Sequence, residues 1–298
     1  MSSGLSIASG NAFVTPAAEL RRVVVTSTRF KPEAHGLARE LGERLQGLGA
    51  EVLLDLPGTV PLAERVDGVD VVFSVGGDGT LLGTARRLVG SSAPVIGVNL
   101  GKLGFLAEFS ADEVREYLDG AQPDGWRINP RVMLQVRLNG SGRPTYALND
   151  VVVSQGLVAR LVNIAMEVDG AHAIQYRADG LVVSTPVGST AYALSLGGPI
   201  VSQALRAFVI TPLAPHSLTN RPIVVEASVE VGFRVESEAN ELALVVDGQE
   251  RIDLTQGDRI SITAAPTDLM LISSGRHSFF DILRMKLSWG APATMMRG

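Results

Sequence analysis

Two hydrophobic rhythms divide the chain. From Arg22 to about residue 125, short β-branched runs alternate with stretches of helical spacing. Val23-Val24-Val25 reads as a strand, and residues 32–48 as an amphipathic helix with Leu37, Leu41, Leu45 and Leu48 on one face. Val52-Leu53-Leu54 and residues 69–75 read as further strands. A helix is expected over 80–89, a strand over 94–98, and a closing helix over 112–118. Strands separated by helices imply parallel crossover units, hence an open α/β sheet. In such sheets ligands gather at the carboxyl ends of the strands.

Past Gly125 the rhythm shortens. Residues 132–138, 145–153, 163–168, 174–177 and 181–184 alternate as strands, with turns such as Asn139-Gly140 and Asp169-Gly170. Strand-like runs follow at 223–225, 229–235, 242–246, 259–263 and 269–272. Many short strands at close spacing predict a β-sandwich or a related all-β domain. Residues 276–289 return to helical spacing. The expected organisation is a disordered leader over 1–20, an α/β domain over 21–125 and a β-rich domain over 126–275. A C-terminal segment, 276–298, is expected to cross back onto the first domain.

Composition narrows the function. With 298 residues, 46% hydrophobic and 19% charged, the chain has ample material for a soluble core. A net charge of −5 gives no general reason to expect nucleic acid or an anionic membrane as partner. An anionic ligand must then be held by local N–H groups and a few placed cations. The absence of cysteine excludes disulfides, thiolate metal sites and a cysteine nucleophile, and suits a reducing cytoplasm. No apolar run reaches 18 residues. Residues 1–20 are rich in Ser, Ala and Gly without a basic residue before Arg21, unlike a secretory or transit signal.

The densest chemistry is Gly76-Gly77-Asp78-Gly79-Thr80, directly behind the strand at 69–75. Glycines let backbone N–H groups approach a bulky anion, and the strand end fixes where the carboxylate points. Asp78 could act as general base beside a phosphoryl donor, hold Mg²⁺, or cap the following helix, although Thr80 already suits the cap. A second segment, Asp179 to Tyr192, ends a strand in a Gly188-Ser189-Thr190 turn before a short helix with Tyr192 and Ser195. Its hydroxyls and N–H groups suit ribose or phosphate oxygens, and Tyr192 could stack on a base; a plain capped helix is the alternative. Leu148-Asn149-Asp150 and Asp247-Gly248-Gln249 read, on their own, as turns. No P-loop, dinucleotide Gly-x-Gly-x-x-Gly, His-Glu-x-x-His or Gly-x-Ser-x-Gly motif is present, Leu82 standing where the dinucleotide pattern needs its third Gly. His35, His172, His216 and His277 show no ligand spacing.

Together these residues closely resemble the NAD kinase family. The resemblance runs through the Gly76–Thr80 string, the segment from Gly97 to Leu106 and Leu148-Asn149-Asp150. It continues through Asp179 to Tyr192, Ser195 to Pro199, Thr211-Pro212-Leu213, Pro215-His216-Ser217 and Arg221-Pro222, then Asp247-Gly248-Gln249 and Phe280 to Trp289. It implies an N-terminal α/β domain and a C-terminal β-rich NAD-binding domain with the active site in the cleft between them. It further implies phosphoryl transfer from ATP or polyphosphate, with Mg²⁺ or another divalent cation, to the 2′-hydroxyl of the adenosine ribose of NAD. Asp78 would be the general base and Gly79 would contact the dinucleotide by its backbone, within the phosphate-cradling loop that Gly76, Gly77 and Thr80 share. Asn149 and Asp150 would bind NAD, and Arg177 and Asp179 would contact the dinucleotide, in some members from a neighbouring subunit. Thr190, Ala191, Tyr192 and Ser195 would line the adenosine pocket, with Gln249 near it and Arg160 on phosphate. A homodimer or homotetramer is expected.

Three positions depart from the family pattern. Asp150 stands where Glu is usual, Val187 where Thr is usual, and Gly83 where some members carry a long polar side chain. None touches Asp78. The nearest rival is a lipid or sphingoid kinase sharing the glycine loop, against which the Asp179 to Tyr192 segment, the Asn149-Asp150 pair and the lack of an amphipathic membrane-binding stretch all argue. A non-catalytic dinucleotide-binding regulator is the rival from another class.

Overall fold

In the computed structural model of the chain, the β-branched runs of the first half form a six-stranded sheet. Its order is Glu51–Asp55, Arg22–Thr26, Val71–Val75, Val95–Val98, Leu269–Ser273 and Arg127–Arg131. Pairings along the first five strands are parallel. The structure describes residues 12–288 apart from 29, 61, 63–64, 156–160, 218 and 238–240. These divide into two units: residues up to Pro130 together with those from Met270 onward, and Arg131–Leu269.

The first unit places helices against its sheet as the spacing predicts. Helix Glu33–Gly47 buries Ala34, Ala38, Leu41 and Leu45 against Val23, Val25, Val71 and Phe73. Leu37 and Leu48 lie at the margin of that stripe, partly buried. Val71–Val75 is buried at every position, which a parallel strand covered on both faces requires. Helix Asp78–Arg87 follows it, and Ala111–Leu118 begins in a capping box between Ser110 and Glu113. Helix Phe279–Leu287 begins in a second capping box, between Ser278 and Asp281.

The leader expected over 1–20 is corrected for its described part. Phe13, Ala17 and Leu20 are buried in the core of this unit, and Phe13 stacks on Trp126 at 6.1 Å between ring centroids. Trp126 also meets Phe109 and Tyr117 at 4.6 and 4.8 Å, and the Tyr117 hydroxyl donates to the Thr15 carbonyl at 2.8 Å. Three well-spaced apolar residues in a Ser-rich context are enough to dock the segment.

The second unit is a sandwich of two six-stranded sheets, antiparallel in the pairings between neighbours. One runs Ala171–Ala178, Val162–Val168, Val231–Val235, Arg259–Ala264, Leu134–Leu138, Ser141–Ala147. The other runs Ile223–Glu226, Ala207–Leu213, Gly180–Ser184, Asp150–Ser154, Ala243–Val246, Glu250–Asp253. Their facing side chains, among them Leu134, Val151, Val153, Ile164, Val183, Phe208, Phe233, Leu244 and Ile262, make one core. Val152 and Val182 point the other way and pack with Ala193 and Leu213, so the second sheet is covered on its outer face as well.

Four details differ from the pattern-based expectation. The run 145–153 is two strands in different sheets, Ser141–Ala147 and Asp150–Ser154, broken at Leu148-Asn149. Ala207–Leu213, absent from the expected runs, is a strand that ends in Thr211-Pro212-Leu213. Pro212 is tolerated because the neighbouring strand Ile223–Glu226 pairs no further than Ile210, so no partner on that side needs its missing N–H. Leu269–Ser273 belongs to the parallel sheet of the first unit, so the chain returns there earlier than residue 276. Arg127–Arg131, with Pro130 and little β-branching, forms the edge of that sheet and carries no strand signal in sequence.

Candidate active site

The glycine loop sits where the strand Val71–Val75 ends and helix Asp78–Arg87 begins. Gly77 is the N-cap residue with φ 128°, a conformation closed to L side chains, and no side chain caps the helix. A Cβ on Gly76 would overlap the Thr80 hydroxyl. Thr80 is therefore not the cap: it is the third helical residue, 5% exposed, and its Oγ1 is buried without a hydrogen bond. The outcome is a helix that starts on a glycine with no side chain over its end, its Thr80 and Leu81 N–H groups closing on the Gly77 carbonyl at 3.0 Å and its positive dipole end facing the loop.

Asp78 does not cap its own helix either. Its Oδ2 accepts the Phe105 N–H at 2.8 Å, and its Oδ1 accepts those of Leu106 and Ala107 at 3.1 and 2.9 Å. The carboxylate is thus held by consecutive amides from a loop 27 to 29 residues downstream. Gly79 is exposed beside it. A cation also reaches the loop: the Lys31 Nζ donates to the Gly76 carbonyl at 2.9 Å. Nothing in the sequence pattern singles Lys31 out, because it meets the loop only through tertiary packing.

The second cluster assembles within the sandwich. Asp247, in a hairpin turn at φ 48°, accepts the N–H groups of Leu148 at 3.1 Å, Asn149 at 2.8 Å and Asp150 at 3.2 Å. The Asp247 N–H in turn donates to the Asp150 carbonyl at 2.9 Å. Thr185 locks the same turn, its hydroxyl donating to the Leu148 carbonyl at 2.6 Å and its N–H to the Asn149 carbonyl at 2.9 Å. Asp150 is 5% exposed, and its carboxyl is pushed up to about 7, chiefly by burial and then by the Asp247 charge. The Tyr192 N–H, bonded to it, pulls the other way. Leu148 to Asp150, Thr185, Tyr192 and Asp247 therefore converge, which the hairpin reading of Asp247 missed.

Other expected contacts distribute as follows. Gly188–Thr190 is a 3₁₀ turn and Tyr192–Ser195 a single helical turn, as the hydroxyl-rich segment predicts. Thr190 is half-buried, its hydroxyl donating to the Val187 carbonyl at 3.1 Å, and Ala191 is half-buried beside it. Tyr192 is 44% exposed, and Ser195 and Gln249 are exposed. The Gln249 N–H closes the Asp247 turn on the Val246 carbonyl at 2.9 Å. Arg177 is exposed and its carbonyl accepts the His216 N–H, while the Asp179 N–H donates to Leu213. Arg160 lies outside the described residues.

A parallel sheet ending in a glycine-cradled carboxylate, on a chain that also folds a sandwich with a hydroxyl-rich turn, defines a two-domain phosphotransferase of the kind that lacks a P-loop. Residues 9–123 match the ATP-NAD kinase N-terminal domain and residues 148–274 the ATP-NAD kinase C-terminal domain. The chain belongs to the ATP-NAD kinase family. It is 40% identical over 261 residues to the NAD kinase of Geobacter sulfurreducens, covering 87% of each chain. The crystal structure of an NAD kinase from Archaeoglobus fulgidus in complex with ATP matches with a TM-score of 0.68 at 28% identity, covering 90% of this chain and 98% of that one. Yeast NADH kinase complexed with NADH matches in fold, with a TM-score of 0.79 at 24% identity over 92% of this chain and 89% of that one. No helix among the described residues is long and apolar enough to cross a membrane.

Proposed function

We propose that this chain is an NAD kinase that transfers the γ-phosphoryl group of ATP to the 2′-hydroxyl of the adenosine ribose of NAD, giving NADP and ADP. The observation that carries it is the Asp78 carboxylate, fixed by neighbouring amides at the mouth of a glycine loop and a helix N-terminus. Asp78 takes the hydroxyl proton as the ribose oxygen forms its bond to the γ-phosphorus. The bond from that phosphorus to the β–γ bridging oxygen breaks, and its electrons leave with ADP. The positive end of the helix that starts at Asp78 and the Lys31 amine answer the donor's negative charge, which lets an acidic chain bind two anions.

Asn149, Asp150 and the 188–195 segment supply the acceptor side. Asp150 takes hydrogen bonds from ribose hydroxyls, Tyr192 offers an exposed ring to a base, and Thr190, Ala191, Ser195 and Gln249 border it. Arg177 and Asp179 contact the dinucleotide. Among the described residues no group of three or more His, Asp or Glu side chains gathers to hold a metal. A divalent cation bound to the donor's own phosphates would neutralise their charge. We place the enzyme in the cytoplasm as a homo-oligomer, a homodimer or homotetramer.

Asp78→Asn tests the reading. Turnover should fall roughly 10²- to 10⁴-fold, the range of a positioned general base, while NAD affinity by calorimetry stays within about threefold. Unchanged turnover would remove Asp78 from the chemistry. A donor panel of ATP, other nucleotides and polyphosphate, run against NAD and NADH with a diacylglycerol control, identifies the substrates. Phosphorylation of the lipid alone would overturn the assignment.

A further inference from the structure

The three N–H groups on Asp78 come from one loop, and that loop is shaped by two residues that carry no role in the reading above. Asn99, 5% exposed, donates its side-chain amide to the Phe109 carbonyl at 3.0 Å and the Ala107 carbonyl at 3.3 Å. Its Oδ1 accepts the Gly101 N–H at 2.8 Å. One buried side chain therefore ties both ends of the segment 101–107. Within it, the Gly104 N–H closes on the Ala107 carbonyl at 3.1 Å. A Cβ at 104 would overlap Asp78 Oδ1 and lie 2.8 Å from its Cγ. Gly104 is not among the residues with positive φ, so glycine is needed here for space rather than for conformation.

We infer that Asn99 and Gly104 are positioning residues for phosphoryl transfer: they shape the 101–107 loop so that it aims the Asp78 carboxylate and leaves Oδ2 as the atom that takes the proton. An ionised carboxylate offers about four acceptor positions. Among the described residues, Oδ1 spends its share on Leu106 and Ala107, and Oδ2 accepts from Phe105 alone. The remaining position is on Oδ2. The loop thus selects one lone pair, and rotation of the carboxylate would break three hydrogen bonds at once. The catalytic half of this inference rests on Asp78 being the base; the steric coupling between Gly104 and Asp78 does not.

Gly104→Ala is the direct test. Displacing the carboxylate by about an ångström should lower kcat on the order of 10²-fold, with KM for NAD and for ATP each within about threefold. Asn99→Ala should act in the same direction, by about tenfold, through a loosened loop. Wild-type kcat in Gly104→Ala, or a raised KM with kcat intact, would overturn the proposal, since either means the loop does not act through Asp78. Thermal melts of Gly104→Ala and of Gly104→Ala/Asp78→Ala keep the test decisive if the single variant folds poorly. With Asp78→Ala alone as the reference for the three amides that lose their acceptor, the added methyl should lower the melting temperature less in the Asp78→Ala background than in the wild type, and an equal loss in both backgrounds sinks the idea. Full turnover in Asp78→Asn would refute the base while leaving this thermal coupling in place, so the two failures are distinguishable.

Discussion

Two aspartates, one in each unit, accept three consecutive backbone N–H groups, and a third is left to titrate. Asp78 and Asp247 are fixed by those amides, whereas Asp150 is buried beside Asp247 with the Tyr192 N–H as an opposing influence. Its carboxyl, pushed up from 3.8 to about 7, keeps its proton in the folded chain over a range where the unfolded chain has lost it. Stability from this group therefore falls as pH rises from about 4 to about 7 and levels off above. Asp150→Asn removes that dependence. The stability gap between variant and wild type should be near zero at about pH 4 and widen in the variant's favour by as much as about 4 kcal/mol by about pH 8. Melts at a series of pH values measure it; a gap that does not change with pH would show that Asp150 titrates normally. The short Asp side chain keeps the carboxyl close to the buried turn and to the Asp247 charge.

At the scale of elements, the site is made of breaks in regular structure. The apolar pattern from residue 145 to 153 is continuous, yet the chain leaves one sheet and enters the other at Leu148-Asn149. Asp247 makes the break possible by accepting the amides that no strand pairs there. Asp247→Ala leaves those donors without their acceptor, which should cost on the order of 2–4 kcal/mol. Hydrogen exchange of the amides of residues 148–150 should accelerate, and KM for NAD should rise while KM for ATP does not. Unaltered exchange at 148–150 would show that Thr185 alone holds the turn. These breaks explain what the sequence could reveal. The glycine loop and the Gly188–Thr190 turn were legible because each is a local anomaly at a strand end. Lys31 was not, and Asn99, Gly104 and Asp247 stood out only as members of family-like stretches without a role, because their partners lie across the fold and no spacing rule joins them. Likewise Val71–Val75 declared itself by β-branching, while Ala207–Leu213 was masked by Pro212 and Arg127–Arg131 by Pro130.

At the scale of the molecule, the first unit is discontinuous in sequence, and this makes a distant truncation a test of its fold. Strand Leu269–Ser273 lies between Val95–Val98 and Arg127–Arg131, so it is an interior member of the parallel sheet although the rest of that sheet lies before residue 132. Ile272 belongs to the same core as Val23, Phe73, Ile96 and Trp126. A chain ending at Asp268 would keep every other strand of that sheet but open a gap beside Val95–Val98 and strand Arg127–Arg131. Leu269, Leu271 and Ile272 are each nearly fully buried, and losing them removes roughly 1.5–3 kcal/mol apiece in burial, comparable to the whole stability of a domain. Trp126, one of only two tryptophans in the full chain, would be the only one left in the shortened chain. Its emission should shift to the red as the Phe13–Phe109–Tyr117 cluster opens, while the sandwich strands retain their far-ultraviolet signal. Unshifted Trp126 emission in the shortened chain would mean that residues 12–130 fold without their returning strand.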